Sequence, residues 1–463
     1  MGDIVMGTEI SIDFPKAFLW GTSTSSHQVE GNNINSNWWQ WENTPGKIRN
    51  SYKSGHACGW WESMEKDLSL MKEMNNTTHR MSLEWSRIEP EEGKFDQAAI
   101  NRYKDIILAL KENGIEPMIT LHHYTNPLWF ENRGAWIQKD AVKYFMRYVS
   151  FVVKNLGQHV RLWCTINEPE GYAVAGYVIC YFPPGTFSLS SCFRSLFNLL
   201  DAHLAAYDVI KKQNPEAQVG IVKNYTLFDP WDEKSFWDKF LAPNLDKFFN
   251  RVVLDPLISG KTPFFLPGWR KLAQRLRGKI DFFGLSYFTR WRVRASLGSP
   301  STMVKNIFNC TPGALVSDLT NEGHPYGEIY PEGMYRALKM VARLNKPIYI
   351  TGSGLPDADD SRRPLFLLAH LKHVHRALQE GIDVRGFYHW TLVDNFEWAD
   401  GWALKFGLIA FDPLTDERIM RGCGRIYGEI AKEGRITRNM VERYAPGLLP
   451  GYFEEQDFLR NRS

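Results

Sequence analysis

Short apolar segments alternate with longer amphipathic segments along most of the chain. The apolar segments have the length and the β-branched and aromatic content that are typical of buried strands. Eight of them predict strands, with the sequences AFLWGTST, NTTHRMSL, EPMITLHH, RLWCTIN, QVGIVKNY, IDFFGLSYF, KPIYIT and VRGFYHWTL. Because strands that alternate with helices usually form a parallel sheet, this pattern predicts an α/β fold, a (β/α)8 TIM barrel.

The intervening segments carry apolar residues at helical spacing. NRYKDIILALKENG predicts a helix that ends at Gly114, and DAVKYFMRYVSFVVKNLG predicts one that ends at Gly157, since glycine commonly terminates helices. Residues 226–279 and 291–328 are predicted to be long insertions between strands, and such connections often form binding loops or lids. Because no linker or low-complexity tract interrupts the pattern, we expect one barrel domain over residues 1–463.

Charge and hydropathy exclude two classes of partner. The chain has 55 basic and 52 acidic residues, a net charge of +3, and no run of like charge, so we expect no nucleic-acid partner. No apolar run approaches about 18 residues, so we expect no membrane span. The first residues do not resemble a signal peptide, which favours a cytoplasmic protein.

The cysteines bear on the compartment and on metal binding, and the tryptophans bear on the kind of ligand. The 6 cysteines are scattered without metal-ligand spacing, so we expect free thiols in a reducing compartment and no metal or organic cofactor. The 17 tryptophans fit either core packing or a site in which flat rings stack on sugars, and composition does not separate these alternatives.

In a (β/α)8 barrel, chemistry takes place at the carboxyl ends of the strands. Nearly every predicted strand ends in a hydrogen-bonding or aromatic side chain. The candidates are Gln28, Glu30, Arg80, His122, His123, Asn167, Glu168, Tyr287, Trp390, Glu397 and Trp398. Each has an ordinary structural explanation when taken alone, such as a core histidine or an ion-paired arginine. Together, polar groups and aromatic rings indicate a pocket for a polyhydroxylated ligand.

The segment TINEPEG is the most specific of these motifs. Asn167 places an amide beside the carboxyl group of Glu168 at a predicted strand end, just before Pro169. Glycoside cleavage needs a carboxylic acid that protonates the departing oxygen, and an adjacent amide can hold the sugar 2-hydroxyl. The alternative is an ordinary turn that caps a helix.

Several segments together resemble glycoside hydrolase family 1, the retaining β-glycosidases. They are FLWGTSTSSHQVEG, RMSLEWSRIEPEEGKFDQAAINRY, TLHHYTNPLW, TINEPEGYAVAGY, EIYPEGMYRAL, KPIYITGSG and DNFEWADGWALKFGL. Their order and spacing agree with the family nearly from end to end. The resemblance implies a (β/α)8 barrel that cleaves β-linked glycosides with two carboxylates and needs no cofactor.

The resemblance also implies a role for most of the candidates. Glu168 corresponds to the general acid/base, and Asn167 corresponds to the contact with the 2-hydroxyl. Arg80 and Tyr287 correspond to groups that bracket the nucleophile. The implied pocket for the non-reducing sugar contains Gln28, His123, Trp390, Glu397 and Trp398. Because the Glu397 carboxylate would repel a phosphate, the resemblance favours unphosphorylated sugars.

One position departs from the family in a decisive way. The family's nucleophile is a Glu in a Thr-Glu-Asn-Gly pattern at the end of the seventh strand, where this chain has the sequence TGSG. Gly352 therefore stands at the nucleophile position and cannot form a covalent glycosyl-enzyme. Asp357, Asp359 and Asp360 lie further along the following loop, and we do not expect them to replace the lost carboxylate.

Three explanations of Gly352 remain open. The first is an engineered variant of a β-glucosidase, β-galactosidase or β-fucosidase, which would hardly hydrolyse but could join α-glycosyl fluorides to sugar acceptors or trap intact oligosaccharides. The second is a natural family member that binds sugars without cleaving them. The third is a lectin-like protein that never had catalysis, which the intact Glu168 motif argues against. We favour the first, because the acid/base and Arg80 are both present.

Overall fold

Eight parallel strands close into a barrel in this protein. The computed structural model describes residues 10–264, 266–295, 307–320 and 322–453. The barrel strands, in chain order and also in their order around the barrel, are β1 Leu19–Ser23, β2 Thr78–Ser82, β3 Glu116–His122, β4 Leu162–Asn167, β5 Gln218–Asn224, β6 Phe282–Ser286, β7 Ile348–Ser353 and β8 Val384–Trp390. Each coincides with one of the predicted segments, so the predicted (β/α)8 architecture is confirmed.

The strands are covered on both sides, which explains why they lack a polar face. Every residue of β2, β4, β6 and β7 is buried. Alternate strand positions point into the barrel and fill its lower part with one cluster, which consists of Met118, Leu162, Cys164, Val222, Phe282, Tyr349 and Tyr388. Because this plug closes the interior, a ligand can enter only at the carboxyl ends of the strands.

One helix follows each strand and packs around the barrel. These helices are α1 Trp60–Glu73, α2 Gln97–Glu112, α3 Ala141–Leu156, α4 Leu189–Gln213, α5 Trp269–Leu276, α6 Glu332–Val341, α7 Arg363–Gln379 and α8 Gly422–Glu433. Gly114 has a left-handed backbone directly after α2, as predicted for a helix stop. Gly157 also ends its helix, α3, but its φ of −58° is helical, and glycine is favoured there because a Cβ atom would lie 2.5 Å from the Val153 carbonyl oxygen.

Shorter helices, helical turns and small sheets lie around the barrel. Additional helices are Ser26–Val29, Asn37–Glu42, Trp85–Ile88, Leu128–Glu131, Pro169–Tyr177, Phe236–Asp246, Val252–Ser259, Arg438–Tyr444 and Leu449–Tyr452, with 3₁₀ turns at Arg49–Ser51, Ala135–Ile137, Ala342–Leu344, Trp398–Asp400 and Pro446–Leu448 and a π-helical turn at Lys247–Arg251. Small sheets pair Ser11–Asp13 with Arg435–Thr437, Ile409–Asp412 with Glu417–Met420, and Arg290–Val293 with Leu227–Pro230 and Phe308–Asn309.

The two predicted insertions differ from open loops. Residues 226–279 are largely helical and include the barrel helix α5, although Pro243 and Pro256 lie inside two of their helices. Part of the second insertion, residues 296–306 and 321, lies outside the described residues, and its remainder contains most of the strand Arg290–Val293, the strand Phe308–Asn309 and turns. Within the described part of the chain, no helix combines the length and the hydropathy needed to cross a membrane.

Candidate active site

A cavity of about 280 Å³ opens at the carboxyl ends of the barrel strands. Each strand from β2 to β8, or the loop just after it, contributes a residue to the lining. Eight of the predicted site residues line this cavity, namely Arg80, His123, Asn167, Glu168, Gly352, Trp390, Glu397 and Trp398. The structure therefore brings most of the predicted set together, and it places Gln28, Glu30, His122 and Tyr287 outside the lining.

Glu168 stands between β4 and the helix Pro169–Tyr177. Its backbone is left-handed, with φ 45° and ψ 64°, a conformation that is uncommon for a glutamate and is often found at functional sites. The Tyr124 hydroxyl donates a hydrogen bond to Oε2 of Glu168, and the backbone N–H of Glu168 donates to the Val222 carbonyl at 2.8 Å. These contacts hold one carboxyl oxygen in place and leave the group facing the cavity.

Arg80 is a buried cation whose contacts are all neutral. Its Nε donates to Thr120 Oγ1 at 3.1 Å, and its Nη1 donates to Ser23 Oγ and to the Thr351 carbonyl. Its Nη2 donates to Asn167 Oδ1 at 2.6 Å. No carboxylate of the described residues forms an ion pair with this guanidinium, although only 1% of Arg80 is exposed. Because Thr351 directly precedes Gly352, the guanidinium lies beside the glycine.

Gly352 leaves space for a side chain, whereas Gly354 does not. A Cβ atom at 352 would lie 3.2 Å from Ser286 Oγ and 3.6 Å from the Phe288 ring, so it would need only a small adjustment. A Cβ atom at 354 would lie 1.8 Å from the Trp390 carbonyl oxygen, which is impossible without backbone movement. Packing therefore requires glycine at 354 but not at 352.

Glu397 presents a carboxyl group to the cavity from the loop after β8. Gln28 lies behind it, fully buried, and donates from Nε2 to Oε2 of Glu397 at 3.0 Å. Burial raises the pKa of Glu397 to about 8, and the neighbouring Asp400 carboxylate adds to this rise. Gln28 thus orients Glu397 instead of lining the cavity, and the raised pKa favours the protonated form of Glu397 at neutral pH.

Aromatic rings form the wall around His123. Its imidazole lies 5.9 Å from the Trp390 ring and 6.0 Å from the Trp398 ring, measured between centroids. Burial and the nearby Arg80 hold the pKa of His123 well below its ordinary value, so the imidazole is neutral. Its Nδ1 has no hydrogen-bond partner among the described residues. The site therefore offers a polar atom beside flat apolar surfaces, which suits a sugar ring.

The structure corrects the prediction for Tyr287. Its side chain is fully buried on the helix side of the barrel, where the hydroxyl donates to the Tyr330 carbonyl at 2.8 Å. Successive residues of an extended chain point in opposite directions, so Ser286 and Phe288 line the cavity while Tyr287 points away from it. Phe288 therefore occupies the place beside Gly352 that was predicted for Tyr287.

Three tyrosines of the cavity lining, Tyr124, Tyr181 and Tyr326, were not predicted from the sequence. Tyr124 contacts Glu168, and Tyr326 lines the cavity where burial and the carboxylates of Glu397 and Glu168 raise its pKa. Tyr326 belongs to the segment that was predicted to be a binding loop, which was the only signal available for it. The three loop aspartates, Asp357, Asp359 and Asp360, do not line the cavity, in agreement with the expectation that they cannot replace the nucleophile.

A buried ion pair lies behind the cavity wall. Lys223 Nζ on β5 donates to Glu170 Oε1 at 2.9 Å, and both side chains are fully buried. Burial raises the pKa of Glu170 to about 7, although Lys223 opposes the rise. The Lys223 ammonium also lies 4.4 Å from the ring of Phe249, which lines the cavity.

A second cavity adjoins the first. It has a volume of about 540 Å³ and shares part of its lining, including Tyr181, Phe249 and Tyr326, with the cavity at the strand ends. Its other walls contain Phe228, Trp291 and Phe308, among further residues. The second cavity thus extends the site with a mixed wall that contains several aromatic rings.

Comparison with known proteins identifies the family. The sequence profile described as glycosyl hydrolase family 1 matches residues 10–435. The chain belongs to glycosyl hydrolase family 1. As a member of family 1 it is related to β-glycosidases, and both the resemblance inferred from its motifs and the (β/α)8 barrel are confirmed at this level.

Family 1 relatives match the chain over almost its whole length. It is 32% identical to beta-glucosidase A of Acetivibrio thermocellus over 455 residues, which cover 91% of this chain and 98% of the relative. It is 28% identical over 484 residues to a beta-galactosidase of Saccharolobus solfataricus, covering 92% and 96% of the two chains. The structure of the beta-glycosidase from Pyrococcus horikoshii is 37% identical, superposes with a TM-score of 0.83, and covers 94% of this chain and 98% of that one.

Proposed function

We propose that this family 1 protein binds β-linked, unphosphorylated glycosides and has lost the nucleophile of a retaining β-glycosidase. The supporting observation is that Glu168, the unpaired Arg80 and Gly352 line one cavity, with space at 352 for a side chain. We further propose that Gly352 is an engineered replacement of glutamate, that residues 1–463 form one domain, and that the protein is cytoplasmic.

The loss of the nucleophile should nearly abolish hydrolysis. In a retaining enzyme, a second carboxylate attacks the anomeric carbon while the first protonates the departing oxygen. Removing a nucleophile typically reduces the rate by about 10⁴–10⁶-fold. With Glu168 intact, the chain can still perform the other half of the chemistry, which is proton transfer at the oxygen on the β face.

An α-glycosyl fluoride would restore a complete reaction. Its fluorine would occupy the space beside Gly352, where the glycosyl-enzyme bond would otherwise lie. The Glu168 carboxylate would take the proton of an acceptor hydroxyl as that oxygen attacks the anomeric carbon and fluoride leaves. The β-linked product would accumulate, because no nucleophile at 352 is present to cleave it. This is synthesis of the glycosynthase type.

The cavity explains the proposed choice of sugar. Glu397, oriented by Gln28, would hold hydroxyls of the non-reducing sugar, and Trp398 would support its apolar face. A phosphate on that sugar would meet Glu397 instead of a basic side chain, which favours an unphosphorylated glucoside, galactoside or fucoside. The adjoining aromatic cavity would receive the aglycone or the acceptor sugar.

Restoration of the side chain tests this proposal directly. We expect Gly352→Glu to hydrolyse 4-nitrophenyl β-glucoside, β-galactoside or β-fucoside with retention, at least about 10⁴-fold faster than the unmodified protein. Gly352→Gln is the matched control, because it fills the same space without a nucleophile. The rates are measured by 4-nitrophenol release, and the anomer formed first is identified by proton NMR.

Synthesis is tested in the unmodified protein with α-glucosyl fluoride and an aryl glucoside acceptor. We expect a β-linked disaccharide by mass spectrometry and NMR, and no product with Glu168→Gln. If Gly352→Glu folds but stays as inactive as Gly352→Gln, the alternative of a naturally inactive sugar-binding family member replaces this proposal.

A further inference from the structure

We propose that the space beside Gly352 is a phosphate site and that the protein interconverts β-glycosides and α-glycosyl phosphates. This inference rests on the proposed role of Glu168 as acid/base. It goes beyond the proposed function because it names a co-substrate, phosphate, that takes the place of the missing side chain. The two products of glycoside cleavage would then be an alcohol and a glycosyl phosphate.

The first argument is the unbalanced charge of Arg80. A guanidinium has five N–H donors, and Arg80 directs four hydrogen bonds to oxygens, while the neutral thiol of Cys164 also lies beside the guanidinium. All four acceptors are neutral, so the buried positive charge has no anion beside it. A buried charge without a counter-ion is unfavourable, and arginine is well suited to bind oxyanions. The position next to Thr351 therefore favours a small anion in the cavity.

The second argument is the shape and the polarity of the space. A glutamate side chain and a phosphate have the same number of non-hydrogen atoms, so a space that admits the first is of the right size for the second. The Ser286 hydroxyl lies 3.2 Å from the ideal Cβ position at 352 and lines the cavity. It makes no hydrogen bond to the other described residues, so it is available to donate to a phosphate oxygen.

The third argument is that little negative charge opposes an anion there. His123 is neutral because burial and Arg80 lower its pKa, and Glu397 has a pKa of about 8 and is mostly protonated at pH 7. Tyr326 is uncharged, since its pKa is raised. Glu168 and Asp400 are the remaining acidic groups of the cavity lining. Glu168 must carry a proton when it acts as the acid, which removes its repulsion at that step.

The reaction is balanced without any oxidant or further reagent. A phosphate oxygen attacks the anomeric carbon from the side of Gly352, and the bond between that carbon and the aglycone oxygen breaks. Glu168 donates its proton to the departing oxygen, which leaves as an alcohol, and the remaining proton of the phosphate restores the acid. Because the attack inverts the anomeric centre, the product is an α-glycosyl phosphate. The reverse reaction makes β-glycosides with phosphate as the leaving group.

The test follows the products of 4-nitrophenyl β-glucoside in phosphate buffer. We expect phosphate to accelerate 4-nitrophenol release about tenfold or more and to saturate, as for an oxyanion held by positioned donors. Phosphorus and proton NMR should show α-glucosyl phosphate only. Sulfate at equal ionic strength serves as the control and should give no glycosyl product. Formation of β-glucosyl phosphate, or of no glycosyl phosphate at all, would overturn the inference.

Variants separate this inference from the proposed function. Gly352→Gln should abolish the phosphate effect by filling the site, and Ser286→Ala should raise the phosphate concentration for half-maximal rate severalfold. Azide is the reference nucleophile, because it needs the space and Glu168 but not an oxyanion site. If azide yields an α-glycosyl azide and phosphate yields nothing, the phosphate site is refuted while the proposed function stands. If neither anion reacts, both proposals are refuted.

Discussion

The protonated Glu397 should make the stability of this protein depend on pH. Burial and Asp400 raise its pKa from 4.5 to about 8 in the folded state. Between these values the unfolded chain releases the proton and the folded chain keeps it, so stability must fall as pH rises. Below pH 4.5 both states are protonated and the effect vanishes, and above about pH 8 it is constant. The full shift corresponds to an order of about 5 kcal/mol.

Glu397→Gln should remove this dependence. The glutamine carbonyl can still accept the hydrogen bond from Gln28, so the packing is kept while the ionisation is lost. We expect the variant to gain several kcal/mol over the unmodified protein between pH 5 and pH 9, by about 1.4 kcal/mol for each pH unit in the affected range. The free energy of unfolding is measured by urea titration with tryptophan fluorescence at several pH values.

An exposed glutamate provides the control for this measurement. Glu112 lies on the surface at the end of α2, so Glu112→Gln should follow the unmodified protein at every pH. If the difference between Glu397→Gln and the unmodified protein is the same at pH 5 and pH 9, Glu397 is ionised in the folded state. The argument that its neutral form helps to admit an anion would then be wrong as well.

Two further predictions concern packing and the buried ion pair. Gly354→Ala should destabilise the fold severely, because its Cβ would lie 1.8 Å from the Trp390 carbonyl oxygen, whereas Gly352→Ala should change the thermal midpoint little. Equal effects of the two alanines would contradict this assignment. Lys223→Met alone should cost about 3–5 kcal/mol by leaving Glu170 unpaired, and the double variant with Glu170→Met should recover most of this loss in urea unfolding. Additive losses in the double variant would contradict this prediction, because they would show that Lys223 and Glu170 stabilise the fold independently.

The barrel could be predicted from the sequence because its strands are buried on both faces. Each parallel strand is a compact apolar run, and Gly114 marks a helix end by its left-handed backbone. The segment 226–279 was harder, since Pro243 and Pro256 suggested breaks within stretches that are helical in the structure. Tertiary packing of the apolar residues overrides these local signals.

The site was predictable to the extent that strand ends determine it. Tyr287 was misplaced because its role was transferred by resemblance without regard to the alternation of side chains, which would have selected Phe288. Tyr326 comes from a segment without any periodic pattern, so only its position in a long insertion pointed to the site. The partner of Lys223 was not predictable either, because Glu170 is 53 positions away in the chain.

The neutral hydrogen-bond partners of Arg80 have a consequence for the electrostatics of the pocket. Since Ser23, Thr120, Asn167 and the Thr351 carbonyl orient the guanidinium, the architecture of the pocket does not depend on a carboxylate at residue 352. These partners fix the direction of the guanidinium but do not balance its charge, because all of them are neutral. Orientation and charge balance are therefore separate at this side chain, and a negative group at or beside residue 352 would change the second without altering the first.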